Sequence, residues 1–322
     1  MKKMMTAVMV AVVLAPCLAS AQEVPRMKMT TEIPKGLTTP DNIQTRVGEL
    51  NFFDGVPDIE SAQKVYRLLD FTHAYQACLD GTKIASMEAM RNGLLEFGPA
   101  NTTAILFEDL MDSHTLFLTA NTTSVYMFSW LVLGVEPLVF ETPPYVLGLI
   151  NDAWFRYVVD FGNLGPDKAQ GGKFLVLPPG YKGEVPEGYY IARTNTYGNW
   201  VAWRGFQVDG STETAVKQTR EIFKIYPLSQ ADNPPEMNFV DASGKIFNTI
   251  HRMDVGIFDE INAVVQREPL MGESPGLLGH LAAIGIVKGQ EFAPDSKMQP
   301  ILKGAAAAGS VTVKTLISKP RD

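Results

Sequence analysis

The stretch that decides the fold runs from Asn151 to Phe206 and reads NDAWFRYVVDFGNLGPDKAQGGKFLVLPPGYKGEVPEGYYIARTNTYGNWVAWRGF. Apolar and charged residues alternate in its first part, and successive side chains of a β-strand point to opposite faces. This alternation predicts one half-buried antiparallel strand over residues 151–161. The side chains predicted to face the core are Ala153, Phe155, Tyr157, Val159 and Phe161.

The opposite face of this predicted strand is mixed in character. It carries Asp152, Trp154, Arg156, Val158 and Asp160. One interpretation is a solvated row of ion pairs, which is ordinary on exposed sheet faces. The other is a charged patch that lines a cleft, in which case Asp152, Asp160 and Arg156 are the candidate catalytic residues.

The remainder of the stretch predicts three more strands, over residues 173–177, 189–195 and 200–204, separated by turn-rich loops. Trp200 and Arg204 share a face of the last strand. Such a pair binds anions, sugars or aromatic rings by stacking and through a rigid fork of N–H donors. It also completes ordinary core edges, because Trp buries a large area wherever it lies. The residues predicted to bind a ligand are Trp154, Arg156, Arg193, Trp200, Arg204, Asn121 and Tyr126.

Strands and helices are also predicted on either side of this stretch. Alternation predicts strands over residues 115–119, 125–131 and 137–141. Helical spacing after Pro57-Asp58 predicts a hairpin of two helices, 58–79 and 84–96. Four further helices are predicted over residues 209–226, 254–268, 274–286 and 296–308. These elements indicate the α+β class, with a helical hairpin before an antiparallel sheet and a helical layer after it.

The N-terminus predicts export. Residues 1–21 combine the basic Lys2-Lys3, an apolar run and the small residues Ala19-Ser20-Ala21, which is typical of a cleaved signal peptide. The mature protein is therefore expected to begin at Gln22 and to be periplasmic or extracellular, with residues 22–57 as a flexible lead-in. Cleavage leaves Cys78 as the one cysteine, so it is predicted to be a small buried hydrophobe and not half of a disulfide.

Composition and missing motifs narrow the functional classes. The chain has 322 residues, 46% hydrophobic content and a formal net charge of -7, which argues against nucleic acid as a partner. No segment after the signal is apolar for the roughly 20 residues that span a bilayer. The chain lacks the P-loop, H-E-x-x-H and C-x-x-C motifs, and its four histidines are far apart. No metal site is predicted and no cofactor is indicated.

Several longer stretches resemble one family. They are Thr119–Tyr126, Gly165–Lys168, Gly171–Tyr181, Val185–Tyr189, Trp203–Phe206, Lys224–Leu228, Asn233–Met237, Ile284–Gly289 and Pro320–Asp322. Together they resemble bacterial secreted proteins of the domain of unknown function 1254 family, over nearly all of the mature chain. The resemblance implies a jelly-roll-like β-sandwich with helical additions, usually followed by a domain of unknown function 1214, which this chain is expected to lack. The resemblance identifies no catalytic residue in this chain, because no general activity is established for the family.

Residues 58–228 are accordingly assigned to the helical hairpin plus β-sandwich, and residues 229–322 to a linker and helical tail. Three functional hypotheses follow: a binding module for a small organic or carbohydrate ligand, a hydrolase or lyase using carboxylate acid/base chemistry, and a module that packs on a missing β-rich partner. Whether the protein is an enzyme is left open. Uncovered apolar residues near the C-terminus also predict self-association through the C-terminal helices.

Overall fold

The computed structural model describes residues 33–117 and 120–321 of the chain. The predicted signal peptide and the expected mature start at Gln22 lie outside these residues, so export stays a prediction. Leu118 and Thr119 of the predicted strand 115–119, and the final Asp322, lie outside them as well. The chain divides into two units, Met1–Ser61 and Ala62–Asp322.

A small antiparallel sheet forms the described part of the first unit. Its strands, in spatial order, are β1 (Asn42–Thr45), β2 (Gly48–Phe53) and β3 (Val56–Pro57). Asp54 and Gly55 join the last two strands with φ values of 50° and 79°, the left-handed conformation that two-residue hairpin turns require. The prediction of a flexible lead-in over residues 22–57 is thus corrected for residues 42–57, where the Asp-Gly turn signal outweighs the low apolar content.

One 37-residue helix, α1 (Ile59–Leu95), replaces the predicted helical hairpin. Its start is as predicted, because the Asp58 carboxylate accepts the Ser61 N–H at 2.7 Å as an N-terminal cap. The predicted break around Gly81 does not occur. A Cβ at Gly81 would lie 2.4 Å from Cδ1 of Ile261, so a later helix packs closely against the glycine there. Leu68 and Leu69 belong to the apolar residues whose helical spacing predicts the first helix as core-facing, yet both are exposed.

The strands of the second unit form two main sheets and one short pair. The strands are β4 (Thr103–Leu106), β5 (Thr115–Leu116), β6 (Val125–Val132), β7 (Leu138–Thr142), β8 (Leu147–Asp152), β9 (Tyr157–Gly162), β10 (Gly172–Leu177), β11 (Tyr190–Arg193), β12 (Gly198–Gly205), β13 (Lys224–Pro227), β14 (Asn238–Asp241) and β15 (Phe247–Asn248). The larger sheet has the order β14-β4-β6-β12-β8-β9, the smaller one β11-β10-β7-β13, and β15 pairs with β5.

The two main sheets share one hydrophobic core. Phe140 and Phe174 of the smaller sheet pack with Phe161 and Trp203 of the larger one, and the ring centroids of Phe140 and Phe161 are 5.1 Å apart. The predicted mixed α+β class is confirmed, and the jelly-roll connectivity stays a prediction. The sheets are not purely antiparallel, because β4–β14 and β10–β11 are parallel pairs at two sheet edges.

The single strand predicted over residues 151–161 is wrong. β8 ends at Asp152 and β9 begins at Tyr157, and the two strands pair antiparallel across a tight turn. Asp152 closes the turn, because its Oδ1 accepts the N–H groups of Trp154 and Arg156, each at 2.9 Å. The predicted faces are therefore exchanged at the turn: Trp154 is 0% exposed, whereas Phe155 is 38% exposed.

Four more helices complete the five that occur among the described residues: α2 (Glu213–Ile222), α3 (Ile257–Arg267), α4 (Pro275–Ala283) and α5 (Met298–Ser318). The helix predicted over 209–226 ends early, because residues 224–227 pair with β7 as β13. Helices α3, α4 and α5 pack on the middle of α1. Cys78 lies in this layer, close to Gly309, and burial raises the pKa of its thiol to about 11.

Helix α5 is partly covered. Leu302, Ala305 and Ala306 are buried in the helical layer, whereas Val311, Leu316 and Ile317 are exposed. Self-association through the C-terminal helices stays a prediction. Within residues 33–117 and 120–321, no helix combines the length and apolar character needed to cross a bilayer.

A half-buried carboxylate in the helical layer predicts a pH dependence of stability. Burial raises the pKa of Glu260 from 4.5 to about 7, although the Arg252 N–H and the Arg252 charge oppose this shift and Glu88 and Asp254 add to it. The folded protein therefore binds the proton more tightly than the unfolded chain, so this group's contribution is present below pH 4.5 and is lost as pH rises through 7. We expect Glu260→Gln to flatten the fall in stability between pH 5 and pH 8 in urea unfolding.

The matched control for this prediction is Asp259→Asn, which changes the exposed neighbouring carboxylate on the same helix. It is expected to leave the pH profile of the wild-type protein in place. Parallel profiles for the wild type and Glu260→Gln would show that Glu260 does not titrate in this range.

Candidate functional site

A cavity of about 320 Å³ lies between α1 and the outer face of the larger sheet. Ser86, Met87 and Met90 of α1 form one wall. Opposite them are Tyr126, Phe128, Leu149, Trp200, Ala202 and Arg204 of the sheet. Phe117, Phe155, Asp160 and Leu164 lie around the edge. The cavity is the strongest candidate for a functional site among the described residues.

Strand register places these side chains together. In β12, the two-residue period directs Trp200, Ala202 and Arg204 to the cavity, while Trp203 lies in the core between the sheets. Ala202 pairs with Phe128 on one side and Leu149 on the other, and Leu149 pairs with Asp160. Trp200 and Arg204 are four residues apart, about 13 Å along an extended strand. The cavity is therefore elongated, with Trp200 towards one end and Arg204 towards the other.

The middle and the Trp200 end of the cavity are aromatic. The Phe117 ring lies 5.0 Å from Phe128 and 6.0 Å from Trp200, measured between centroids. Phe155 closes this end, with its ring 6.4 Å from that of Trp200. Met87 and Met90 cover the aromatic rings from the helix side. Both belong to one apolar cluster, and the sheet residues of the cavity either belong to this cluster or pack against it. This part of the cavity suits an apolar ligand body.

The other end of the cavity carries a cation. The Arg204 guanidinium lies over the Tyr126 ring, with Cζ 4.8 Å from the centroid. Asn121 Nδ2 donates a hydrogen bond to the Tyr126 hydroxyl at 3.1 Å, which holds the ring in place. Within the described part of the chain, neither the Arg204 guanidinium nor the Asp160 carboxylate has an ion-pair partner. A guanidinium oriented by stacking, and not engaged by a carboxylate, can form the charge-assisted bonds that bind an anion.

Three residues that the sequence placed in the site instead hold the β8–β9 turn. Asp152 is buried, and its Oδ2 accepts from Arg156 Nε at 2.8 Å. Arg156 also lies 3.0 Å from Glu273 Oε1, and Trp154 Nε1 donates to the Pro269 carbonyl at 3.0 Å. None of the three lines the cavity, so the catalytic roles considered for Asp152 and Arg156, and the ligand roles for Trp154 and Arg156, stay predictions that the cavity does not support. The sequence pattern grouped them with the site because it reads as a continuous strand where the structure has a turn.

The remaining predicted site residues fall into a group at the cavity, on the side of the larger sheet, and one residue on the smaller sheet. Tyr126, Trp200, Arg204 and the catalytic candidate Asp160 line the cavity, and Asn121 lies one hydrogen bond behind Tyr126. Arg193 does not belong to the site, because it is exposed on β11, the edge strand of the smaller sheet.

Sequence reasoning missed the helical wall and the aromatic edge, namely Met87, Met90, Phe117 and Phe155. One signal could have indicated the space itself. Ala202 is a small residue between Trp200 and Arg204 on one face, and a small side chain flanked by two large ones leaves room above it.

Residues 100–227 match the family model whose description is Protein of unknown function (DUF1254). This part of the chain is similar to the DUF1254 family. The matched region supplies the sheet side of the cavity, including Tyr126, Trp200 and Arg204, whereas Met87 and Met90 lie before it.

The fold is similar to that of the VPA0106 protein from Vibrio parahaemolyticus, a solved crystal structure. The TM-score is 0.57 at 16% sequence identity, over 77% of this chain and 59% of that chain. At this identity the likeness concerns the fold alone. No curated protein matches the chain.

Proposed function

We propose that this protein binds a small, mostly apolar organic molecule that carries one anionic group, such as an aryl or alkyl carboxylate. The observation that carries the proposal is Arg204, a stacked guanidinium that pairs with no carboxylate of the described residues and lies at one end of an aromatic cavity. The apolar body of the ligand would lie along β12 between Phe128 and Met90, with its carboxylate at Arg204.

The size and walls of the cavity favour this ligand over a carbohydrate. Ligand pockets commonly measure about 300–1,000 Å³, so a volume near 320 Å³ suits a small molecule. A sugar would bring a hydroxyl group to nearly every carbon, and a hydroxyl buried without a partner is unfavourable. Phe117, Phe128, Leu149 and Ala202 offer no side-chain partner in the middle of the cavity.

The hydrolase or lyase alternative depends on Asp160 alone among the carboxylates first considered, because Asp152 is engaged in the turn with Arg156. Asp160→Asn separates the two functions. A binding protein retains its affinity for an uncharged apolar ligand in this variant, whereas an acid/base enzyme loses turnover.

The proposal predicts a selective binding profile. By isothermal titration calorimetry, 4-phenylbutyrate is expected to bind about 10–100-fold more tightly than 4-phenylbutanol, since a hydrogen bond to a charged group contributes about 1.5–3 kcal/mol. Glucose is expected not to bind. Tryptophan fluorescence should change on binding, and Trp200→Phe should reduce that change because Trp200 lines the cavity.

Equal affinities for the acid and the alcohol would contradict the role of Arg204. Preferential binding of glucose would contradict the proposed ligand class.

A further inference from the structure

An open surface groove adjoins the cavity at its Phe155 end. Two residues, Ser86 of α1 and Phe155 of the β8–β9 turn, line both the cavity and the groove. The groove continues over Leu79 and Asp80 of α1 to Leu277 of α4 and Val313 of α5. Ser86 and Phe155 therefore form a neck between an enclosed aromatic space and an open, partly apolar one.

Phe155 has an unusual backbone conformation for its residue type. Its φ is +61°, in the left-handed region that glycine and asparagine adopt readily and that bulky residues rarely do. Nothing in the turn requires an aromatic side chain, because the closing hydrogen bonds come from Asp152 and the backbone. A disfavoured conformation that persists in a well-anchored turn is a reason to look for function at that side chain.

The turn itself is fixed to the helical layer. Arg156 Nη1 donates to the Met271 carbonyl at 3.1 Å, and Trp154 Nε1 donates to the Pro269 carbonyl at 3.0 Å. Across the neck, the Ser86 hydroxyl donates to the Thr82 carbonyl at 2.9 Å, which turns it back along α1. The width of the neck therefore depends on the Phe155 ring, which is partly exposed and can change rotamer while the backbone stays in place.

We propose that the groove is a second subsite of the same ligand and that Phe155 controls passage into it. The ligand is then an elongated aliphatic carboxylate. Its anionic group lies at Arg204, its chain follows β12, and its far end passes Phe155 to contact Leu79, Leu277 and Val313. This inference rests on the proposed function of the cavity, and it adds a chain length that the cavity alone does not accommodate.

The experiment measures affinity against chain length. Straight-chain monocarboxylates from hexanoate to tetradecanoate, each below its micellar concentration, are titrated into the wild-type protein and into Asp80→Trp. Asp80 is an exposed residue of α1 at the groove, so the indole fills the groove while the cavity is unchanged. Arg67→Trp, at an exposed position of α1 outside the groove, is the control for an indole placed on the same helix.

Affinity of the wild type is expected to rise by up to about fourfold per added methylene across the whole series. In Asp80→Trp the rise should stop at an intermediate length, with hexanoate unaffected. Arg67→Trp should behave as the wild type. A plateau at the same length in all three proteins would overturn the second subsite and leave the proposed function standing.

A second variant tests whether Phe155 controls passage into the groove. Phe155→Gly removes the ring and suits the positive φ, so the fold should be retained, and stopped-flow association of tetradecanoate should accelerate at least severalfold. The control is Tyr145→Gly, which changes another exposed aromatic residue with positive φ (54°), one that lines neither the cavity nor the groove. Equal association rates in both variants would overturn the gating role. If no carboxylate of any length binds, the proposed function itself fails, and this inference fails with it.

Discussion

Replacing Trp154 by alanine is expected to lower the free energy of unfolding by about 3–5 kcal/mol, the usual range for truncating a buried aromatic side chain. The Trp154 side chain is fully buried in the cluster formed by α1 and the C-terminal helices. Truncation would leave a cavity there and would remove the donor to the Pro269 carbonyl. Urea unfolding followed by far-ultraviolet circular dichroism measures the loss.

The adjacent residue gives the control for this prediction. Phe155→Ala should cost less than about 1 kcal/mol, because its ring is partly exposed. The single-strand interpretation of the sequence placed Phe155 on the core-facing side of the strand and Trp154 on the opposite side. A larger loss for Phe155→Ala than for Trp154→Ala would therefore support that interpretation against the turn.

Arg204→Leu is expected to weaken binding of 4-phenylbutyrate by about 10–100-fold, which corresponds to the loss of one charge-assisted hydrogen bond. The same variant should bind 4-phenylbutanol as well as the wild type does, because the apolar walls around Trp200 and Phe128 are retained. The difference between the two ligands isolates the charge from the packing. Isothermal titration calorimetry of the wild type and of Arg204→Leu, each with both ligands, provides the measurement.

Arg193→Leu is the matched control, since Arg193 is an exposed arginine on the smaller sheet and does not line the cavity. Like Arg204→Leu, it removes one positive charge from the protein. An equal loss of affinity in Arg193→Leu would mean that net charge, and not a contact at Arg204, attracts the anion.

Local signals predicted much of the β-structure correctly. Residues 125–131, 137–141, 173–177 and 200–204 alternate or run apolar between turn residues, and β6, β7, β10 and β12 occur there. The start of α1 was predicted equally well, because the Asp58 cap is a signal contained in a few adjacent residues. Such signals depend on neighbours along the chain, which the sequence displays directly.

Predictions failed where a specific contact outweighs the periodicity of the sequence. Gly81 is a helix-breaking signal by itself, yet α1 continues through it, and Ile261 of α3 packs closely against the glycine there. Residues 151–161 alternate as a strand would, yet the Asp152 carboxylate closes a turn in the middle of the run. In both cases the periodicity of apolar residues along the chain does not reveal the contact that decides the local structure.

The candidate site shows the same division. The sequence by itself determined that Trp200, Ala202 and Arg204 share one face of a strand, because the two-residue period is a property of any extended chain. Only the tertiary structure decided that this face is covered by Met87 and Met90 and bounded by Phe155, while Asp152 and Arg156 face each other in the turn. The physical reason is that a cavity is space enclosed by side chains from separate elements, and its existence depends on how those elements pack.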